Sequence, residues 1–179
     1  MDDVSRELGI SKKTLYKYVS DKKQLVREVL KREMNKIEEM FCCVKDARKN
    51  AITELIDMNR VVHDMIKSYN PSTVYDMKKY YPEMFNKFGE ERHRSMFAWI
   101  LTNLKKGKKE GLYRKELNEE IIAKLYVTRI EGMHSDSGSN FHELLSGKYY
   151  TEILEYHIRG ISNEKGIKEF ERKYKTLKS

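Results

Sequence analysis

The sequence predicts an all-α protein, and three observations support that fold class. No stretch of the 179 residues alternates apolar and polar positions over the length of a β-strand. Apolar residues recur instead at the three- and four-residue spacing of an α-helix, most clearly between Phe97 and Leu104. Only two prolines interrupt the chain, and both Pro71 and Pro82 stand where a helix would begin.

The first three predicted helices follow from their end signals. The first covers residues 2–8, with two acids in its first turn and a glycine directly after it. The second covers residues 12–19. The third starts at Asp21, which fits a capping box with Gln24, and continues to about Val44.

The remaining helices divide the rest of the chain, and the clearest loop falls at residues 135–139. We expect two units, a module of residues 1–46 and a larger helical domain of residues 47–179. The predicted helices of the larger unit cover residues 48–68, 72–80, 83–110, 119–134, 141–159 and 164–178.

Composition and charge restrict the class of protein. Apolar residues make up 39% of the chain, which is enough to bury a core and argues against disorder. The longest uncharged apolar stretch, residues 96–104, is far shorter than the ~20 residues of a membrane span. Because Met1 is followed at once by two acids, no signal peptide is predicted. We therefore expect a soluble, cytoplasmic protein without a membrane partner. Its net charge of +8 favours an anionic partner, although surplus lysine also serves solubility.

The sequence contains no recognisable motif for a catalytic or metal-binding site. Cys42 and Cys43 are adjacent, so we expect two reduced thiols, with a redox-sensing pair as the alternative. The five histidines show no zinc-binding spacing, and neither a Ser/His/Asp set nor a phosphate loop is present. We predict no catalytic residue, no metal, no cofactor and no enzymatic activity.

Residues 1–30 form a helix-turn-helix pattern, in which a short helix, a turn containing Gly9 and a second short helix follow one another. On the second helix, Lys13, Thr14 and Lys17 point away from the apolar side, as the residues of a recognition helix must in order to enter the major groove. A solvated charged face is the alternative for these lysines. Tyr18 is expected to pack against the module. The apolar residues expected to share one small core are Val4, Leu8, Ile10, Leu15 and Val19.

The run from Val4 to Leu25 resembles the TetR family of bacterial transcriptional regulators. It carries the Gly-Ile-Ser turn, the Thr-Leu-Tyr core and a later Lys before Leu that are typical of that family. The resemblance implies that Tyr16 and Lys22 hold backbone phosphates and that the start of the second helix reads base edges. The predicted DNA-binding residues are Ser11, Lys12, Lys13, Thr14, Tyr16, Lys17 and Lys22.

Members of the TetR family open with a further helix that packs across the helix-turn-helix pair. This chain begins directly at the helix that should come second. We therefore expect a fragment or a misplaced start, with residues 1–20 loosely held and DNA binding weakened.

The resemblance also implies that the larger unit is a ligand-binding and dimerisation domain, and that a homodimer binds a palindromic double-stranded DNA operator. In this family the last two large helices form the dimer interface, and here they would be residues 119–134 and 141–159. The second of them carries more apolar surface than one domain face requires. The predicted interface residues are Leu125, Phe141, Leu145, Tyr149, Ile153 and Tyr156.

A pocket for an unidentified small-molecule effector is predicted around the two prolines, where Met and Tyr residues are concentrated. An ordinary core with Tyr hydroxyls at its edge is the alternative. Arg129 lies among apolar neighbours, so it either reaches the surface or meets an anionic ligand. The predicted pocket residues are Tyr69, Tyr75, Tyr80, Phe88, Trp99, Tyr126, Arg129 and Met133.

The function that these observations favour is a ligand-responsive repressor that leaves its operator when the effector binds. The helix predicted from Asp21 to Val44 would connect the two units. The alternative is a helical ligand-binding or protein-interaction module without DNA-binding activity.

Overall fold

The computed structural model describes residues 1–46, 48–67, 70–135 and 147–178, without the side chains of residues 66, 71, 133–135, 147–150 and 175–178. Within these ranges the ordered elements are α-helices, and the β-pairing they contain is one isolated bridge between Tyr113 and Ser162. The all-α fold class is therefore confirmed. The helices are α1 (Asp2–Glu7), α2 (Lys12–Leu15), α3 (Lys22–Val44), α4 (Ala51–Lys67), α5 (Pro71–Tyr80), α6 (Pro82–Lys109), α7 (Glu119–Ser135), α8 (Gly147–Ile161) and α9 (Glu164–Lys178).

Helix starts follow the capping residues of the sequence. At α3 the Asp21 carboxylate accepts from the Gln24 backbone N–H at 2.7 Å, and the Gln24 side chain accepts from the Ser20 N–H in return. At α5 the Asn70 side chain accepts from the Ser72 N–H at 3.0 Å. Asn70 directly precedes Pro71, which is the first residue of the helix.

Two predicted helices differ from the observed ones. The second was expected over residues 12–19, but α2 ends at Leu15 because the next turns tighten, with the Lys17 N–H donating to the Thr14 carbonyl at 3.1 Å. The helix predicted over residues 141–159 is observed as α8, two residues longer at its end, and residues 141–146 lie outside the described ranges.

The main core lies between α4, the second half of α6, α7, α8 and α9, and the second half of α3 completes it. Met34, Ile37 and Phe41 of α3 are buried in this core. Leu15 and Val19 are also buried, but they are separate from it. The helix α3 therefore extends from the helix-turn-helix segment into the larger core.

A glycine allows the loop after α6 to fold back onto that helix. A side chain at Gly107 would overlap the ring of Tyr113, which is fully buried there. The Tyr113 hydroxyl donates to the Asn103 side chain at 3.0 Å, and Asn103 donates to the Ala51 carbonyl at 2.8 Å. These bonds fix the start of α4 against α6.

Lys106 of α6 fixes the connection between α3 and α4. Its ammonium group donates to the Lys49 carbonyl at 2.6 Å and to the Asp46 carbonyl at 3.4 Å. It also pairs with the Glu54 carboxylate at 2.7 Å, whose side chain is nearly inaccessible to solvent. The segment directly after α3 is therefore held on α6 by hydrogen bonds to its carbonyls, and α4 is held there by a partly buried ion pair.

No helix in the part of the chain that the structure describes is both long enough and apolar enough to pass through a bilayer.

Candidate nucleic-acid interface and ligand cavity

The turn between α1 and α2 has a defined backbone geometry. The Ile10 N–H donates to the Ser5 carbonyl at 3.0 Å and the Gly9 N–H donates to the Arg6 carbonyl at 3.1 Å, which is the Schellman arrangement. Gly9 has a φ of 63°, a conformation that glycine adopts without a steric penalty. The chain therefore leaves α1 in a fixed direction, and residues 8–11 connect it to α2.

The orientation of α2 follows from its cap and its buried side. The Thr14 N–H donates to Ser11 Oγ at 3.0 Å, and the two hydroxyl groups lie 2.9 Å apart. Leu15 is buried to 4% exposure, so the opposite side of this short helix faces solvent. Lys13 is exposed there, and Lys17, in the turn that follows α2, is exposed as well.

Lys12, also predicted to contact DNA, is engaged within the module. Its ammonium group forms an ion pair with the Asp2 carboxylate of α1. This hydrogen bond raises the pKa of Lys12 and lowers the pKa of Asp2, so both groups stay charged. Asp2 therefore competes with any phosphate for this lysine.

Lys22 lies beyond the recognition segment, at the first position of α3 after the Asp21 cap. Its side chain is exposed next to the N-terminus of a 23-residue helix, where the backbone dipole is positive. Lys22 and Lys17 thus present two separate positive charges to solvent.

The small core of the module differs from the prediction at two side chains. Leu15 and Val19 are buried, as expected, but Leu8 is 59% exposed and does not join them. Tyr18, expected to pack against the module, is 77% exposed because α2 ends three residues earlier. Tyr16 is less exposed than Tyr18 and lies at the end of α2.

A cavity of about 560 Å³ opens between α3, α4, α5, α6 and α7. This volume suits a small organic ligand. The lining combines flexible thioether groups and aromatic rings with ionic groups of both signs. The lining residues are Leu30, Glu33, Lys36, Ile37, Met40, Val61, Asp64, Met65, Thr73, Val74, Met77, Lys78, Phe85, Phe88, Arg92 and Glu131.

Some predicted pocket residues lie away from this cavity. Phe88 lines it, whereas Tyr75 and Tyr80 are exposed on α5 with the Lys79 ammonium group over both rings. Trp99 is buried in the main core.

Of the four other predicted pocket residues, two have described side chains on α7 and two do not. Tyr126 is fully buried, and the Arg129 guanidinium lies over its ring. Tyr69 lies outside the described ranges, as does the side chain of Met133.

Five cavity residues come from α3 and were missing from the sequence prediction. An apolar stripe was present there at helical spacing, formed by Leu30, Ile37 and Met40. From sequence, α3 is predicted only as the connection between the two units. That its apolar stripe faces α5 follows from the tertiary arrangement, which the pattern of α3 does not reveal.

The predicted dimer residues that the structure describes lie at or near the surface. Leu125 is 63% exposed and Tyr156 is 80% exposed, whereas Ile153 is partly buried. Ile121 of α7, one turn before Leu125, is exposed as well. Phe141, Leu145 and the side chain of Tyr149 are outside the described part of the chain.

Comparison with known proteins places this arrangement in a class. No protein-family model matches the chain. An uncharacterized HTH-type transcriptional regulator from Bacillus subtilis (strain 168), YvaF, is 24% identical over 168 residues, which cover 90% of this chain and 85% of the relative.

Two solved structures have the same fold. The reduced form of E. coli NemR matches with a TM-score of 0.68 at 12% identity, over 91% of this chain and 86% of that one. The ketosteroid transcriptional regulator KstR2 of Mycobacterium tuberculosis matches with a TM-score of 0.59 at 16% identity, over 90% and 84%. These matches confirm the resemblance indicated by residues 4–25, and the chain has the fold of a TetR-like regulator.

Proposed function

We propose that this protein is a sequence-specific DNA-binding transcriptional regulator that acts as a ligand-responsive repressor. The observation that carries the proposal is the helix-turn-helix segment, in which a Schellman turn and a Ser11 cap hold α2 by Leu15 and leave Lys13 and Lys17 facing solvent. A helix held in this way presents polar and cationic side chains to the edges of bases in a major groove.

The proposed contacts divide into two kinds. Tyr16 and Lys22 bind backbone phosphates, and this binding is independent of sequence and weakens as salt rises. Base edges are read by Ser11, Lys12, Lys13 and Thr14 at the start of α2 and by Lys17, two residues after its end.

A homodimer is proposed because a palindromic operator requires two recognition helices about one helical turn of DNA apart. The exposed apolar side chains of α7 and α8, including Leu125 and Tyr156, support this interface. The module of residues 1–46 would bind DNA, and residues 47–179 would bind the effector and the second subunit.

The cavity supports the effector part of the proposal. Leu30, Ile37 and Met40 line it from α3, and the same helix carries Lys22 at its other end. A ligand in the cavity therefore contacts the helix that positions the DNA-binding module. If the ligand prefers one orientation of α3, it shifts the dimer away from the orientation that fits the operator.

Fluorescence anisotropy with labelled genomic duplexes tests the proposal. The parent protein is expected to bind selected duplexes with an affinity that falls steeply as salt rises. Lys17→Ala should weaken binding to the selected duplexes and relax their sequence preference, whereas Lys115→Ala, at an exposed lysine outside the module, should do neither. Absent binding, or binding that Lys17→Ala leaves unchanged, would favour a ligand-binding or interaction module instead.

A further inference from the structure

A partly buried arginine of the larger unit has no carboxylate partner among the described residues. The guanidinium carbon of Arg129 lies 4.7 Å from the centre of the Tyr126 ring, and its Nε is buried without a hydrogen-bond partner. No carboxylate of the described residues lies within ion-pair distance of it. A partly buried cation without a paired carboxylate is costly, so its presence calls for a reason.

Arg159 of α8 shows how the same chain treats a comparable side chain. Its guanidinium also lies over an aromatic ring, 5.9 Å from the centre of Phe170. It is paired with Glu155 at 2.8 Å and with Glu171 at 3.2 Å. The exposed arginine thus has two carboxylates, whereas the more buried one has none among the described residues.

Two further polar groups meet Arg129 between α7 and α8. The hydroxyl of Tyr126 is buried with no hydrogen-bond partner in bonding geometry, although Asn59 and Arg129 lie beside it. The His157 ring lies 4.6 Å from the Tyr126 ring, and its Nε2 is likewise buried without a partner. We call Tyr126, Arg129 and His157 the Arg129 cluster.

The protonation of the cluster suits an anion. Burial, followed by the charge of Arg129, lowers the pKa of His157 to about 3, so its imidazole is neutral at physiological pH. Burial raises the pKa of Tyr126, so its hydroxyl keeps its proton. The cluster therefore has one positive charge and two neutral groups, each of which has a single N–H or O–H to donate.

The surroundings of the cluster are apolar. Ile130 of α7 and both Leu154 and Ile158 of α8 are buried close to it along their helices. These side chains are already buried in the core, so the apolar body of an amphipathic molecule reaches them only where α7 and α8 part to admit it, whereas an inorganic ion would gain nothing from such contact.

We propose that the Arg129 cluster binds the carboxylate or phosphate group of a small amphipathic molecule, with the guanidinium of Arg129 as the main donor. Guanidinium groups bind both kinds of anion through two parallel hydrogen bonds. Because none of its three residues lines the cavity of about 560 Å³, the Arg129 cluster is a second ligand site. The proposal depends on the proposed function only for the effect of this ligand on DNA binding.

The first test requires no ligand and compares the melting temperatures of Arg129→Met and Arg159→Met. Replacing an uncompensated buried charge by an apolar side chain of similar length should raise the melting temperature by about 2–4 °C. Arg159→Met removes two exposed ion pairs and should leave it unchanged or slightly lower. A melting temperature of Arg129→Met below that of Arg159→Met would overturn the inference, because Arg129 would then be a structural residue.

The second test measures binding with defined probes, below their micellar concentrations. Decanoate and decyl phosphate should each raise the melting temperature of the parent and of Arg159→Met, and the larger shift identifies the preferred anion. Neither probe should stabilise Arg129→Met, and decanol and inorganic phosphate should have little effect on the parent. Equal shifts from decanol and the two anions, or unchanged shifts in Arg129→Met, would overturn the inference.

Light scattering distinguishes the remaining explanation, in which a carboxylate of a second subunit pairs with Arg129. A loss of dimer mass in Arg129→Met without anion binding by the parent would overturn the inference. Anion binding by a parent that fails to bind DNA would instead contradict only the proposed regulator.

Discussion

At the scale of single residues, local chemistry could be predicted wherever it depends on neighbours in sequence. The caps at Ser11, Asp21 and Asn70 are examples, because each side chain bonds a backbone N–H two or three residues later. The ion pair between Asp2 and Lys12 was not predicted, because it joins two helices whose crossing is set by the turn. The expected packing of Tyr18 was wrong because α2 ends three residues before it.

The pair of Asp2 and Lys12 leads to a prediction about DNA affinity. Asp2→Asn should strengthen DNA binding, because Lys12 is then no longer held by a carboxylate and becomes available to the DNA. Asp3→Asn is the matched control, since Asp3 pairs with Arg6 at 2.7 Å in the same turn. Anisotropy titrations at several salt concentrations measure both. Equal effects of the two substitutions would mean that only the net charge matters.

The buried His157 predicts how stability depends on pH. Its pKa is about 3 in the folded protein and near 6.5 in the unfolded chain, so only the unfolded chain takes up a proton between those values. This contribution to the free energy of unfolding is complete above pH 6.5 and is lost as the pH falls toward 3, by roughly 1.4 kcal/mol per pH unit.

Denaturant unfolding at pH 7.5 and pH 4.5 tests this dependence. The parent should lose about 2–3 kcal/mol more than His157→Gln over that range, since the variant has no group to protonate there. An equal loss in both proteins would show that His157 is accessible to protons in the folded state.

At the scale of helices, the sequence predicts where each element lies better than what each face contacts. The prolines and caps placed α5 and α6 within one residue of their observed starts. The cavity was less predictable, because its lining depends on five helices meeting, and α3 contributes residues that resemble any apolar stripe. Arg129 was the one pocket residue whose unusual surroundings could be recognised from sequence alone.

The exposed apolar side of α7 predicts the effect of a single charge on assembly. Leu125→Glu should yield a folded monomer, because the carboxylate is solvated in one subunit but would be buried at the proposed interface, at a cost of several kcal/mol. Val29→Glu, at a similarly exposed apolar residue of α3, should leave the dimer intact. Light scattering gives the mass and circular dichroism the helix content. A Leu125→Glu dimer of unchanged stability would place the interface on another surface.

At the scale of the whole molecule, Lys106 of α6 connects to α4 through its ion pair with Glu54 and to the segment after α3 through hydrogen bonds to carbonyls. Lys106→Met should lower the free energy of unfolding by about 1–3 kcal/mol, since Glu54 would keep a nearly buried charge without its partner. Adding Glu54→Gln should recover part of that loss, whereas Lys109→Met, at an exposed lysine one turn away, should cost little. Urea unfolding of the four proteins measures these differences. A double variant less stable than Lys106→Met would contradict the pairing.

The anchor at Lys106 also makes α3 a lever with a fixed pivot. The helix has 23 residues, so Lys22 lies ~33 Å from the anchored end, while Ile37 in the cavity wall lies ~10 Å from it. If α3 swings as a rigid rod, a ligand that displaces Ile37 by about 1 Å moves Lys22 by about 3 Å. In a dimer both recognition helices shift in this way against a fixed DNA repeat of about 34 Å. Because a stiff helix amplifies the displacement, a ligand that is larger by one or two methyl groups would move the recognition helices enough for them no longer to match the operator.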